Sequence, residues 1–306
     1  MRIGLFLALF SGRSLDEALD AAAAAGCEAV EVESRAPSPH CKPAELLADA
    51  TARARLQEAV ARRGLSVSAL SCHGNPLHPD GGVAAADDRD FRDTVRLAAE
   101  LDIGTVITFS GCPGESERSL RPSWVTCSWP DDYPETLEWQ WRERVLPYWV
   151  EAGSFAREHG VRVAIEPHPG FVVYNTASML RVRSAAGPWV GANFDPSHLF
   201  WQGMDPLACV RGLGDAIFHV HAKDTGFDER VLALDGVLET RSSPAERAWI
   251  FRSVGEGHPV AFWRDLVGAL GEVGYDGALS IEHEDPLLPA EEGLSRAVAT
   301  LREALS

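Results

Sequence analysis

No apolar run in this chain reaches the roughly 20 residues a helix needs to cross a bilayer, so no membrane association is expected. The N-terminal Arg2-Ile3-Gly4-Leu5-Phe6-Leu7-Ala8-Leu9-Phe10 is apolar but short and lacks a cleavage-site pattern, and it reads as a first strand. No C-x-x-C pair occurs among the six cysteines Cys27, Cys41, Cys72, Cys112, Cys127 and Cys209, which makes reduced thiols and a cytoplasmic location the expectation. Cations are scarce. With 28 Lys and Arg against 45 Asp and Glu, the formal net charge is -17, which repels polyanions and excludes nucleic acid as an expected partner. There is no G-x-S-x-G elbow, no Gly-rich phosphate loop followed by Lys-Ser/Thr, and no low-complexity linker.

Strand-like and helix-like segments alternate from end to end of the 306 residues. The expected strands are Ile3–Phe10, Ala29–Glu33, Ser66–Cys72, Thr105–Ser110, Arg162–Glu166, Val190–Asp195, Ile217–His221 and Ala278–Glu282. Helical segments between them include Leu15–Ala25, Ala44–Arg63, Asp90–Leu101, Glu138–Glu158, Leu207–Leu213 and Ala261–Val273. Ser14-Leu15-Asp16-Glu17 has the form of a capping box, and Gly26, Gly64, Gly160 and Gly274 follow helical runs where a left-handed cap is wanted. The pattern is α/β and implies a (β/α)8 TIM barrel in one domain over residues 1–306. Two connections are long, Cys112–Pro134 and Thr225–Pro259, and both fall at the carboxyl face, where long loops form lids or binding sites. The first carries Trp124 and Trp129, with Trp139 and Trp141 close behind; they fill a satellite core or subunit interface, or stack on a substrate.

Four strand ends carry ligand-type residues: Ala164-Ile165-Glu166-Pro167-His168, Asn193-Phe194-Asp195-Pro196-Ser197-His198, His219-Val220-His221-Ala222-Lys223-Asp224 and Ile281-Glu282-His283-Glu284-Asp285. In a barrel these ends meet at one face, so Glu166, Asp195, His221 and Glu282 can converge on one cation. Alternation puts His219, His221 and Lys223 on one face, and Glu282 with Ser280 and Glu284, leaving His283 on the other side. Several carboxylates at one barrel mouth cost several kcal/mol each unless a cation compensates them. Three carboxylates and an imidazole form a mostly hard set, suited to Mn2+ first and to Mg2+, Co2+ or Zn2+. His73 and Asn75 after the third strand, His198, Lys223 and Arg252 are the expected substrate contacts; the glycines of Gly255-Glu256-Gly257-His258 either approach a ligand or make a turn.

At these residues the chain resembles the xylose isomerase-like TIM-barrel superfamily, the sugar phosphate isomerase/epimerase group that includes ketose 3-epimerases, inosose dehydratase and hydroxypyruvate isomerase. The resemblance rests on Glu166, on Asp195-Pro196-Ser197-His198, on the His-x-Lys-Asp of His221 to Asp224 and on Ile281-Glu282. It implies one divalent cation on Glu166, Asp195, His221 and Glu282, with Glu166 and Glu282 as catalytic acid and base. The endonuclease IV branch, which is richer in histidine and holds three zinc ions, is a poorer match. C-glycoside deglycosidase catalytic subunits are similar too, and a Trp-rich insertion suits a bulky keto-glycoside. The expected activity is isomerisation or epimerisation of a keto-sugar or polyol ketone by proton transfer. The alternatives are elimination from a 3-keto sugar and, outside catalysis, a sugar-binding partner subunit. The implied partners are a small sugar or keto-glycoside substrate and either a homo-oligomer or a hetero-oligomer with a small subunit.

Overall fold

The computed structural model describes residues 1–306. Ten strands occur in chain order: β1 Arg2–Phe6, β2 Ala29–Glu33, β3 Ser66–Ser71, β4 Thr105–Phe109, β5 Arg162–Glu166, β6 Val190–Phe194, β7 Ile217–Ala222, β8 Asp224–Phe227, β9 Trp249–Arg252 and β10 Ala278–Ile281. Eight of them close a barrel in the order β1-β10-β7-β6-β5-β4-β3-β2, every pairing parallel. Helices flank it, as the alternation predicts. Outward-facing Val30, Val32, Val106, Val163 and Ile165 join the helices in the main core. Inward, Ala69, Ile107, Ala164 and Phe218 form a small apolar layer. Two residues further along β3, β4 and β5, on the same face, stand Ser71, Phe109 and Glu166. The lumen therefore turns from apolar to ionisable toward the carboxyl ends.

The register shifts twice, between Val30 and Glu31 against β3 and between Ala192 and Asn193 against β7. Each shift lets an extra residue, Ser68 or Phe218, sit in the facing strand, and bulges of this kind re-aim the side chains beside them. Glu31, Asn193 and His219 lie at these irregularities and all become part of the site.

The expected capping box at Ser14 and Glu17 is present, and all four expected glycine caps have positive φ. Three expectations need correction. The first strand stops at Phe6, and Leu7–Phe10 forms a 3-10 turn, because Phe6 turns over the barrel mouth with its ring 5.7 Å from that of His221. An unbroken apolar run carries no period to mark that exit. Ala44–Arg63 is two helices, Pro43–Ala48 and Ala50–Ala61, since Asp49 leaves the helical region and caps the second through Thr51 N and Ala52 N. The connection after β7 holds structure of its own: β8 and β9 pair antiparallel, with the short helix Glu229–Asp235 between them.

The connection after β4 runs to the helix starting at Asp132. Buried Gln140 holds it, its Nε2 donating to Pro113 O at 3.3 Å, Gly114 O at 3.0 Å and Ser123 O at 2.8 Å. Trp124 packs edge-on to Tyr174, 5.4 Å between centroids, and against the stacked pair Trp201 and Trp249. Trp141 is buried beneath Arg181, whereas Trp129 is 76% exposed. Trp124 thus joins satellite packing, and Trp141 belongs to the main core.

Candidate metal centre

Glu166 ends β5, Asp195 follows β6, His221 lies in β7 and Glu282 follows β10. One ligand atom from each lies within 4.8 Å of the others. Three of the four residues are at most 2% exposed, and the side chain of Glu282 is 14% exposed. His221 Nδ1 stands 3.3 Å from Glu166 Oε2 and 3.2 Å from Glu282 Oε2. Asp195 Oδ2 lies 3.2 Å from Lys223 Nζ and 3.3 Å from His198 Nε2, without a hydrogen-bonding angle to either. His221 Nδ1 and Asp195 Oδ2 are therefore buried polar atoms with no partner. Each such orphan costs about 1–3 kcal/mol. Two of them in one cluster of carboxylates are what a hard cation would satisfy, so the residues fit the ion their types imply.

The electrostatics lead to the same point. Burial alone would lower the His221 pKa, but Glu31, Glu282 and Glu166 raise it well above the usual imidazole value. A proton on this ring offsets the charge that a divalent ion would otherwise offset. Burial likewise works against Glu166, yet the charge of His221 and the hydrogen bonds from His198 and His73 hold its carboxyl well below the ordinary range. Asp195 goes the other way: burial outweighs Lys223 and pushes it up to about 6. Lys223 stays charged because Asp195, Glu282 and Glu284 overcome its burial. Its Nζ donates to Glu282 Oε2 at 2.6 Å and Glu284 Oε2 at 3.1 Å, and lies 4.5 Å from the Phe251 ring centroid. Lys223 and His221 in turn hold the Glu282 carboxyl low against its burial.

A polar layer lies below this cluster. Glu31 is fully buried and accepts from His221 Nε2 at 3.0 and 2.9 Å, from Ser280 Oγ at 2.8 Å and from Ser71 Oγ. By accepting a hydrogen bond from Nε2–H it leaves Nδ1 as the ligand atom and fixes the ring plane. Asn193 Nδ2 donates to Glu166 Oε2 at 3.0 Å, so its Oδ1 faces His219 Nδ1 at 3.0 Å and makes that nitrogen the donor. Burial keeps His219 neutral, its pKa pushed down to about 4. Sequence reasoning missed Glu31. The sequence reads as a strand over Ala29–Glu33 with no site residue assigned in it, but a barrel strand is buried on both faces and its polar side points into the lumen.

A family model described as a xylose isomerase-like TIM barrel matches residues 19–304. The chain belongs to this family. Within it, the chain is 36% identical over 299 residues to the uncharacterized protein YfiH of Bacillus subtilis, covering 95% of each. It is 31% identical over 160 residues to the inosose dehydratase of Lacticaseibacillus casei, which is 51% of each chain. Among solved structures, the IolI protein with a bound zinc atom superposes with a TM-score of 0.68 at 17% identity, covering 100% of this chain and 98% of that one.

Set in this xylose isomerase-like barrel, the other expected residues divide. His73 Nε2 lies 3.2 Å from Glu166 Oε2 and His198 Nε2 lies 3.1 Å from Glu166 Oε1, so both reach the cluster. His168 packs on His198 with ring centroids 4.0 Å apart, and Phe109, Phe171 and Phe251 continue this aromatic wall. Asn75 does not offer its amide to the site. Its Nδ2 donates to Cys112 O at 3.0 Å and its Oδ1 accepts from Cys112 N and Leu77 N, tying the third loop to the fourth. Arg252 is a brace as well, because its Nε donates to Asp285 Oδ2 at 2.9 Å and its guanidinium lies 3.5 Å from Glu256. His283 bonds Ser253 Oγ away from the cluster, as alternation requires.

Proposed function

We propose that this chain is a divalent-cation-dependent enzyme that moves a proton at the carbon beside the carbonyl of a keto-sugar or polyol-derived ketone. The observation that carries the reading is the pair of unpartnered buried atoms, His221 Nδ1 and Asp195 Oδ2, enclosed with Glu166 and Glu282. Glu166, Asp195, His221 and Glu282 would hold the ion, with Mn2+ the best match to the donor set and Mg2+, Co2+ and Zn2+ compatible. When bound, the ion supplies a positive charge that stabilises a carbonyl oxygen as the neighbouring carbon loses its proton. Glu166 and Glu282 reach the cluster from either side of His221, and both carboxylates are held ionised. One removes the α-proton and the other returns one. Lys223 keeps Glu282 charged, and His73 and His198 hold Glu166 through its two oxygens. Phe109, Phe171 and Phe251 exclude water. Return of the proton at the other face or carbon gives epimerisation or isomerisation.

Elimination of a β-hydroxyl is the second reading. It shares the first step and is favoured by the similarity to the inosose dehydratase of Lacticaseibacillus casei. In D2O the enzyme should place solvent deuterium on a carbon beside the substrate carbonyl, and Glu166→Gln and Glu282→Gln should each lower that exchange by about 100-fold or more. Product of unchanged mass in H2O identifies an isomerase or epimerase, and loss of water identifies a dehydratase. Turnover with no deuterium at any α-carbon overturns the roles of both glutamates.

A further inference from the structure

Lysine is nearly absent from this chain. Of its 28 Lys and Arg only Lys42 and Lys223 are lysines, and all the others are arginines. Lys42 lies on the surface beside Glu45, whereas the side chain of Lys223 is 2% exposed. A guanidinium is a planar fork that needs partners laid out in its plane, but an ammonium is a compact point charge that suits oxygens gathered around one spot. Three carboxylates gather so around Lys223 Nζ: Glu282 Oε2 at 2.6 Å, Glu284 Oε2 at 3.1 Å and Asp195 Oδ2 at 3.2 Å. Two of them, Glu282 and Asp195, belong to the four residues of the cation cluster. The oxygens are shared as well. Glu282 Oε2 is the atom 3.2 Å from His221 Nδ1, and Asp195 Oδ2 is the buried oxygen that lacks a hydrogen-bond partner. Glu284 differs, because it lies outside the cluster and its side chain is 50% exposed.

Resting on the cation reading of this cluster but not on proton transfer, we propose that Lys223 is a built-in competitor of the divalent ion. Its ammonium neutralises Asp195 and Glu282 when no ion is bound, and loading is an exchange in which the ion takes these two carboxylates and the ammonium falls back on Glu284. A divalent ion and an ammonium on the same two oxygens would be near neighbours in a buried site, where water screens their repulsion little. The same carboxylates with no cation at all would be costly too. One positive occupant at a time meets both conditions. Glu284, at the solvent edge, gives the displaced ammonium a partner, so the exchange strands no buried charge. Part of the ion's binding energy is spent on the displacement, which makes loading weaker and more readily reversed than the donor set alone would give.

Mn2+ is the probe, its affinity for the chelator-treated full chain read from the electron paramagnetic resonance signal of the free ion, which needs no turnover. Lys223→Met keeps the bulk of the side chain and removes its charge, and it should bind Mn2+ about 10-fold or more tightly than the natural chain. A lysine that merely holds the ligands in place predicts the opposite sign, so equal or weaker binding by the folded variant overturns the proposal. Glu284→Gln tests the other half. It should weaken Mn2+ binding in the natural chain and lose that effect in the Lys223→Met background, because Glu284 acts through the ammonium; an effect of equal size in both backgrounds overturns the exchange. With only two lysines, 15N-lysine labelling yields two side-chain signals, Lys42 serving as the reference. The Lys223 ammonium protons should exchange with water about 10-fold faster once Zn2+ is bound, as protection is lost with burial. If Lys223→Met does not fold, this measurement on the natural chain decides, and unchanged protection overturns the proposal. Absence of Mn2+ binding in every form removes the cation reading and this proposal together, whereas binding by the natural chain without a gain in Lys223→Met removes this proposal alone.

Discussion

Glu31 is not among the four clustered ligand-type residues, yet it sets the orientation of His221, the one imidazole of that set. Its carboxylate accepts a hydrogen bond from the Nε2–H of His221, and its charge makes Nδ1 a better donor to a positive ion. Replacing Glu31 by Gln keeps the size and the serine contacts but removes the charge. Cation affinity should fall by about 10- to 100-fold, measured by competition with a chelator, while circular dichroism stays unchanged. Affinity within a factor of about two of the natural chain would deny the residue this role. The two histidines at the cluster should part company in the same assay. His221→Asn should strip the ion, whereas His198→Asn should keep it and lose deuterium exchange, since His198 touches Glu166, the proposed acid or base. Equal cation content in both variants would reverse the assignment.

At the scale of elements, the helix from Asp132 to Glu158 is interrupted by a six-residue π segment, Gln140–Val145, whose wider turn places Gln140 beneath the β4 connection. Gln140→Ala leaves three carbonyls without their donor. It should cost about 1–3 kcal/mol and open residues 112–131 to limited proteolysis, with the barrel protected. An unchanged cleavage pattern would show that the loop is held by Trp124 packing alone. The barrel strands were legible because a short apolar run between helical runs has few other readings, and the convergence of Glu166, Asp195, His221 and Glu282 followed from their being strand ends. The hairpin Asp224–Phe227 with Trp249–Arg252 was hidden because its two four-residue strands are separated by more than twenty residues of chain. The loop contacts of Asn75 and Arg252 could not be read from the sequence, because a polar side chain at a barrel mouth has both substrate and neighbouring loops within reach, and the sequence does not say which loop lies adjacent. Glu31 needed the lumen itself, which exists only once β1 and β10 pair.

For the molecule as a whole, five carboxylates, Glu31, Glu166, Asp195, Glu282 and Glu284, are gathered around Lys223 and His221 in a chain already at -17. An ion that binds only the folded state adds stability by mass action, about 2.7 kcal/mol at one hundred times its Kd. A chelator should therefore lower the Tm by about 5 °C, with recovery when Mn2+ is restored. An unmoved Tm, together with less than about a tenth of an equivalent of metal in the protein as purified, would remove the cation from this account. The stack of Trp201 on Trp249, 4.4 Å apart and 7° from parallel, joins the segment after β6 to the hairpin after β7. Two indoles held so closely share their excited state, so their emission and dichroism report on the distance between those segments. The chain carries an unlabelled optical gauge of how those two segments sit together.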